Sequence, residues 1–361
     1  MIKKILYNLA TDKYQGFFAG CAKIFLFLLS LLYGLLVKIL SGYHLGRRKK
    51  VSGRLISIGN ITLGGTGKTS LVEYLARILS EKGKRVAILS RGYKRKGKGS
   101  RVKGQGSSKV EEMGDEPYLL SRKLSGVPVL VGSDRVKLAA QASSRYGADT
   151  LILDDGFQQW RIKKDLEIVT IDATRPFGNR RLLPRGILRE PLSALRRADV
   201  LVLTKVNLGH DLLAAKKVLT GINPAALLVE STHYPLGFYE MGQPEQLIPP
   251  EMVAVRGSLS LCGIGDPNSF ELLLHSLGVR PQFCLRFPDH HDYSPEDLKE
   301  IVRKSRQEDI GIVITTEKDA VRLAGIVPGG FPLKILVLKI ELRIVKNEQE
   351  FLDRLFKLCA D

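Results

Sequence analysis

Apolar positions along this 361-residue chain fall into two patterns. The first is one long run near the start, FFAGCAKIFLFLLSLLYGLLVKIL from Phe17 to Leu40, interrupted by Lys23 and Lys38. A bilayer span needs about 20 apolar residues. The uninterrupted core, Ile24 to Val37, has 14, and flanking lysines extend such a core by reaching up to the headgroups. The run is apolar all round, which does not fit an amphipathic surface helix. Lys3, Lys4 and Lys13 precede it as in a signal peptide, but no A-x-A site follows. The cluster Arg47, Arg48, Lys49 and Lys50 resists export and suits anionic headgroups. Residues 1–50 therefore read as an uncleaved N-terminal membrane anchor with a basic flank. With both flanks positive, the pattern does not decide between spanning and dipping into one leaflet.

The second pattern is an alternation of short buried strands and helices. Strands are predicted at 54–60, 85–90, 127–131, 150–154, 166–172 and 199–204, with a helix over 70–83 (SLVEYLARILSEKG) and helical stretches between several others. Strands alternating with helices predict a parallel sheet with helices on both faces. After about residue 224 the pattern restarts, with apolar runs at 225–229, 259–264, 311–315 and 333–340 and helices at 294–306 and 347–358. The expectation is an α/β protein: a P-loop NTPase-like domain over 51–223 and a smaller C-terminal α/β lobe over 224–361.

Charge changes this picture only after it is partitioned. Lys and Arg number 56 against 37 Asp and Glu, for a formal net charge of +19. A basic chain commonly meets nucleic acid. Residues 1–50 and 91–110 each carry +8 and residues 175–197 carry +6, which leaves the remainder at −3. Localised charge points to a localised anionic surface or substrate, and no aromatic stacking motif accompanies it, so no nucleic-acid partner is expected. The four cysteines lie far apart without a C-x-x-C pair, which speaks against a zinc ribbon or a disulfide framework.

The chemistry starts at the first strand. RLISIGN (54–60) runs into ITLGGTGKT (61–69) and then into the 70–83 helix, the strand–loop–helix context of a P-loop. Gly64, Gly65 and Gly67, with Thr66 between them and Ser70 after them, let backbone N–H groups close on a phosphate at a helix N-terminus. Lys68 reaches the β- and γ-phosphates and Thr69 ligates Mg²⁺. The usual first glycine is replaced by Thr62. A second metal-holding group is expected at a neighbouring strand end, and TLILDDG (150–156) offers Asp154 and Asp155, whose adjacent side chains diverge; Gly156 also suits a plain turn. A kinase needs a base for the acceptor proton. Asp115 in MGDEP (113–117) and the Asp289–Asp292 run DHHD are two candidates in polar turns, and residue type alone favours neither. TTEKDAV (315–321) is accounted for by a Thr N-cap at a helix start. A P-loop by itself also fits an ATPase or GTPase that cycles between states; TKVN (204–207) lacks the N-K-x-D of guanine recognition.

The order of motifs after residue 50 resembles the tetraacyldisaccharide 4′-kinases of lipid A synthesis. The resemblance is carried by IGNITLGGTGKT (58–69), SRGY (90–93), GDEP (114–117), VGSDR (131–135) and DDGFQ (154–158). It continues through FGNRRLLPRGILREP (177–191), GIGDPNSF (263–270), FPDHH (287–291) and ITTEKDAVRL (314–323). Thr62 is normal in that family. Gln159 stands where the family usually has His, Ser70 where it has Pro, and Lys94 where it has Gly; these affect loop shape and no residue assigned to chemistry.

The resemblance implies transfer of the ATP γ-phosphate to the 4′-hydroxyl of an acylated glucosamine disaccharide 1-phosphate, with Mg²⁺ as cofactor. The expected place is the cytoplasmic face of a bacterial inner membrane, against its phospholipid surface. The resemblance makes Asp115 the general base with His290 as dyad partner. It has Asp154 and Asp155 organise Mg²⁺ and Gln158 sit near the reacting phosphate. Arg189 neutralises phosphate charge, and Glu190 supports it and joins the metal set. The basic windows 91–110 and 175–197 would engage headgroups or the 1-phosphate. FPDHH is expected to face the P-loop across a cleft between the lobes.

Overall fold

A computed structural model describes residues 2–92, 101–102, 113–209, 211–254 and 257–360. Most of the basic 91–110 window therefore lies outside the described residues. Two helices open the chain, α1 (Ile2–Ala10) and α2 (Phe17–Leu45). β1 (Arg54–Gly59) leads through the glycine loop to α3 (Lys68–Glu81) and β2 (Val86–Ser90). A two-residue β3 (Arg101–Val102), α4 (Asp115–Lys123), β4 (Val129–Val131) and α5 (Arg135–Tyr146) follow. β5 (Thr150–Asp154), β6 (Leu166–Asp172), β7 (Val200–Thr204) and α6 (Leu212–Ile222) complete the first half.

The second half contains β8 (Leu227–Glu240), α7 (Pro250–Ala254), β9 (Ser258–Cys262), α8 (Pro267–Ser276) and β10 (Phe283–Arg286). It ends with α9 (Pro295–Gln307), β11 (Ile312–Thr316), α10 (Glu317–Leu323), β12 (Lys334–Lys346) and α11 (Glu348–Ala360).

All twelve strands join one sheet in the order β10-β9-β11-β12-β8-β7-β6-β1-β5-β2-β4-β3. Pairing is parallel except for β8 with β12 and β3 with β4. β1 lies between β5 and β6, so the loops leaving all three open on one edge of the sheet. That edge is where α/β sheets bind ligands. Side chains alternate across the sheet with period two. Ile56 and Ile58 enter the core under α3, with Leu71 and Leu75, while Leu55 enters the opposite core against Leu138 of α5.

The sheet is continuous, but its cores are two sets. Leu227 and Val229 of β8 and Leu342 and Ile344 of β12 pack with the P-loop half. Phe238 of β8 and Leu336 and Leu338 of β12 pack with α8 and β9 in the other half. A two-stranded antiparallel ribbon thus joins the cores. At its centre Lys339 pairs with Gly237 and Ile340 with Pro235, leaving Leu236 without an opposite number. This is a β-bulge, and Gly237 takes a φ of +135° that other residues rarely adopt.

Two expectations change in detail. β8 and β12 run well beyond 225–229 and 333–340, because long-range pairing overrides the poor strand propensity of Pro235 and Gly237. The C-terminal helix was expected in the smaller lobe, yet Phe351, Leu355 and Cys359 of α11 pack in the P-loop core with Leu71 and Leu75. The Tyr74 hydroxyl on α3 donates to Glu348 at 2.8 Å, fixing the start of α11 to the P-loop helix.

The expected anchor is real as a helix. α2 has 29 residues and a mean hydropathy of 2.3 over its most apolar 18-residue window. One narrow stripe, Leu26, Ser30, Tyr33, Gly34 and Val37, is turned to the protein, while Phe25, Leu28, Leu32, Leu35, Leu36 and Ile39 are exposed.

Candidate active site

The glycine loop is shaped before any ligand meets it. The Asn60 side chain donates to the Thr62 carbonyl at 2.8 Å, and the Thr66 and Thr170 hydroxyls lie 2.8 Å apart. The Thr204 hydroxyl donates to the Thr66 carbonyl at 3.1 Å. Gly67 has a φ of +78°, and a Cβ there would come within 3.2 Å of His233 Nε2 and 3.3 Å of Thr204 Cγ2. Left-handed backbone and close neighbours both require glycine at this point. Gly64 and Gly65 are exposed on the loop, and Lys68, Thr69 and Ser70 form the first turn of α3. The amides needed for a phosphate stand at a helix N-terminus.

The two acids ending β5 separate as expected. Asp155 has a φ of +52°, which turns it away from Asp154. Arg189 holds Asp155 through two hydrogen bonds, at 2.8 and 3.1 Å, and donates to Asn60 Oδ1 at 3.1 Å. Lys68 Nζ lies 3.6 Å from Asp155. Burial would raise the Asp155 carboxyl, but Lys68 and Arg189 outweigh it and lower it to about 2.

Asp154 is the opposite case. It is 4% exposed, its Oδ2 accepts from Ser90 at 2.9 Å, and its buried Oδ1 has no hydrogen-bond partner among the described residues. Burial first, then the charges of Glu116 and Asp155, raise it to about 6. A buried carboxylate oxygen without a donor suits a hard cation such as Mg²⁺. Among the described residues no group of three or more His, Cys, Asp and Glu side chains could hold a metal ion. A P-loop site does not require one, because phosphate oxygens and a hydroxyl complete its coordination.

Gln158 donates to the Asn60 carbonyl and to Glu190, both at 3.0 Å. Glu190 is 1% exposed and is also bound by Arg197 on both oxygens, at 2.9 and 3.1 Å. Both Glu190 oxygens are engaged, by Gln158 and Arg197.

Asp115 opens α4, where a carboxylate suits the helix dipole. His290, in the turn after β10, places Nδ1 2.9 Å from Asp115 Oδ2. The two candidate bases left open by residue type therefore meet across 175 residues. The neighbouring histidine does something else: His291 lies 2.9 Å from Asp297 at the start of α9 and packs on Phe287. The halves also touch at the P-loop itself, since a Cβ on Gly265 would come within 3.2 Å of both Gly65 N and Asp289 Oδ2.

α10 supplies residues that the N-cap reading of TTEKDAV missed. The cap exists, with Thr316 bonded to the Asp319 amide. Beyond it, Arg322 donates to Asp115 at 2.7 Å, to the Gly263 carbonyl at 3.0 Å and to Asp319 at 2.9 Å. Lys318, one turn earlier, bonds Glu116. Lys318 and Arg322 are four residues apart, hence on one helix face, and they meet two consecutive acids. That spacing was the available signal. Burial alone would raise both acids. Hydrogen bonding from His290 and the charge of Arg322 hold Asp115 below the usual carboxylate range, and Lys318 brings Glu116 to about 2.

The unpartnered Asp154 oxygen makes a stability prediction. Above about pH 6 Asp154 is ionised in the folded protein, at a cost of up to about 3 kcal/mol relative to the unfolded chain; as the pH falls from about 6 towards the ordinary carboxylate range near 4, it binds a proton and the cost shrinks to nothing. Asp154→Asn keeps the Ser90 bond. Without nucleotide or metal, it is expected to raise the Tm at pH 8, with the gain falling to about half near pH 5 and vanishing by about pH 4; with ATP and Mg²⁺ supplied, it is expected to abolish turnover. Thermal melts across that range check it.

A family model for tetraacyldisaccharide-1-P 4′-kinase matches residues 22–360. Among similar proteins, the tetraacyldisaccharide 4′-kinase of Halothermothrix orenii is 42% identical over 325 residues, 84% of each chain. That of Syntrophus aciditrophicus is 40% identical over 332 residues, 88% of this chain and 87% of the other. A crystal structure of LpxK from Aquifex aeolicus, described as an "apo" form in complex with ATP, is 31% identical and superposes with a TM-score of 0.73, covering 93% of this chain and 99% of that one. The parallel sheet, the glycine loop and the motifs that resembled this family agree with these matches, and the chain belongs to the tetraacyldisaccharide-1-P 4′-kinase family.

Proposed function

We propose that this kinase transfers the ATP γ-phosphate to the 4′-hydroxyl of a tetraacyl disaccharide 1-phosphate presented by a lipid surface, with Asp115 as the base. The observation that carries the assignment is the 2.9 Å contact between Asp115 and His290, formed between the P-loop half and the smaller lobe. His290, with its proton on Nδ1, donates to Asp115 Oδ2, and Arg322 donates to the same oxygen. Oδ1 is then the oxygen that accepts the hydroxyl proton. A carboxylate held at low pKa is a weak base, but a loose phosphoryl-transfer transition state asks for alignment of the hydroxyl more than for early proton removal.

The amides of 64–69 and Lys68 hold the β- and γ-phosphates. Thr69 and Asp154 are the residues that would hold Mg²⁺, with Asp155 aligning Lys68 and Arg189. The ion, when bound, neutralises charge on the phosphates. Arg189, supported by Asn60 and Asp155, offers its guanidinium to the transferring group, and Gln158 is kept beside it by Glu190. Opening of the lobes about the bulge at Leu236 and Gly237 would part His290 from Asp115 and admit the substrate, and closure to the arrangement seen here would exclude water.

The docked stripe on α2 bears on how the chain meets a membrane. A helix attached along its middle to the protein offers only its outer face to lipid, so α2 lies in one leaflet along the surface rather than crossing it. Arg181, Arg185 and Arg189 of the 175–197 segment meet this helix or the turn before it, where anionic headgroups gather. Holding enzyme and lipid on one surface raises the effective substrate concentration.

His290→Ala tests the base assignment. With ATP, Mg²⁺ and the disaccharide 1-phosphate in mixed micelles, kcat is expected to fall about tenfold or more at an unchanged KM for ATP. Normal turnover by this variant rules the dyad out.

A further inference from the structure

The apolar helix touches the phosphate site at one point. Tyr33, on the docked stripe of α2, donates its hydroxyl to the backbone carbonyl of Arg189 at 2.8 Å, across 156 residues of chain. The amide on the other side of the same residue donates to the Ile61 carbonyl at 2.7 Å, at the entrance to the glycine loop. Arg189 is therefore held from both ends of its backbone, by the membrane helix on one side and by the P-loop on the other. The peptide that Tyr33 binds also joins Arg189 to Glu190. One of these side chains reaches Asp155 and Asn60, and the other reaches Gln158.

The contact belongs to a longer seam. A Cβ on Gly34 would meet Leu182 Cδ1 at 2.8 Å, so α2 packs closely on the arginine-rich loop here, and a larger residue would displace the end of the Leu182 side chain. Arg181 stacks over Phe27 at 5.1 Å. Asp12, in the turn before α2, is bound by Lys23 at 2.8 Å, by Arg185 at 2.8 Å and by Asn179 at 3.0 Å. An anchor needs none of these contacts, because burial of its outer face in lipid suffices for attachment.

We propose that Tyr33 is a positioning residue for phosphoryl transfer: through the Arg189 carbonyl it sets the Arg189 guanidinium and the Glu190–Gln158 pair, linking the seating of α2 to the arrangement of the phosphate site. The phenol is half-buried, and burial pushes its pKa up, so it remains a donor at any pH at which the enzyme works. Tyr33→Phe removes the donor and keeps the ring in its place on the stripe. The inference rests on the reading of Arg189 as a phosphate-site residue.

The test is a double-mutant cycle on the full chain with Tyr33→Phe, Arg189→Lys and both together. Activity is measured with ATP, Mg²⁺ and the disaccharide 1-phosphate in mixed micelles. Membrane attachment is measured by flotation with vesicles of phosphatidylethanolamine and phosphatidylglycerol. Tyr33→Phe is expected to lower kcat about fivefold, as for one lost hydrogen bond, leaving lipid KM and flotation at the parent values. In the Arg189→Lys background it is expected to cost less than in the parent, since the part carried by the guanidinium is already lost and only the Glu190–Gln158 part remains. An unchanged kcat for Tyr33→Phe, a loss that tracks with flotation, or additive losses in the double variant would each overturn the proposal while leaving Arg189 in its role. Parent-like kcat for Arg189→Lys overturns the role of Arg189, and the proposal with it.

Discussion

An Asp115→Asn variant is expected to lose about 10²- to 10⁴-fold in kcat, the range for removal of a general base, while retaining the parent affinity for ATP. Asn keeps the shape of the side chain and an oxygen able to accept from Arg322 and His290, so the α4–α10 contact survives. What it lacks is the carboxylate oxygen that takes the hydroxyl proton. The glycine loop and Lys68, proposed above to hold the nucleotide, lie apart from α4 in the chain. Lipid phosphorylation with γ-labelled ATP, together with nucleotide binding measured by calorimetry, separates the two terms. Parent-like turnover would reassign the proton to another group. Lost nucleotide binding would show that Asp115 acts through the P-loop instead.

Arg322→Ala is expected to be the most destabilising single change in the site, by about 3–5 kcal/mol, the range for removal of one partner from a buried ion pair. Arg322 is 5% exposed at its side chain and binds Asp319, which is 0% exposed. Asp319 also accepts from the Gly263 amide at 3.1 Å and the Tyr293 hydroxyl at 3.0 Å. Removal of the guanidinium leaves a buried carboxylate with neutral donors only, and it frees Asp115 and the Gly263 carbonyl together. Denaturant unfolding should show a lower midpoint for the variant. An additional Asp319→Asn change should recover part of the loss, because the stranded charge is then gone. Equal stability for parent and Arg322→Ala would mean that solvent reaches Asp319 once the arginine is removed.

What the sequence made legible follows from which interactions are local. β1, the glycine loop and α3 lie within one continuous stretch of chain, and their pattern is set by burial period and backbone freedom. Their placement was readable to within a few residues. The acids at 154 and 155 were readable as a pair because a strand end exposes consecutive side chains. The partition of roles between them was not, since it comes from the positive φ of Asp155 and from Arg189, 34 residues later. Residue type could not choose between Asp115 and the DHHD run, and the structure brings the two together. Arg322 stayed hidden because a basic residue late in a helix has a sufficient local explanation at the helix C-terminus. Only tertiary structure shows that it faces Asp115. The partners of Glu190 were hidden for a related reason: Gln158 and Arg197 lie 32 and 7 residues away in the chain, and only the fold brings both onto its carboxylate.

The return of α11 to the P-loop core gives the chain an unusual order of assembly. The elements from the bulge in β8 to its opposite number in β12 form an insertion: the chain leaves the first core, builds a second one and comes back to finish the first. On the ribosome, the nascent P-loop half has its apolar N-terminal helix, its glycine loop and its arginine-rich seam in hand while the inserted lobe is still being made. It lacks Phe351, Leu355 and Cys359 until the last stretch of described chain emerges. Domains fold as units during synthesis, so the inserted lobe has all its own parts before the half that contains the nucleotide site. The catalytic loop is thus seated on its full core only after the lobe bearing His290 is complete.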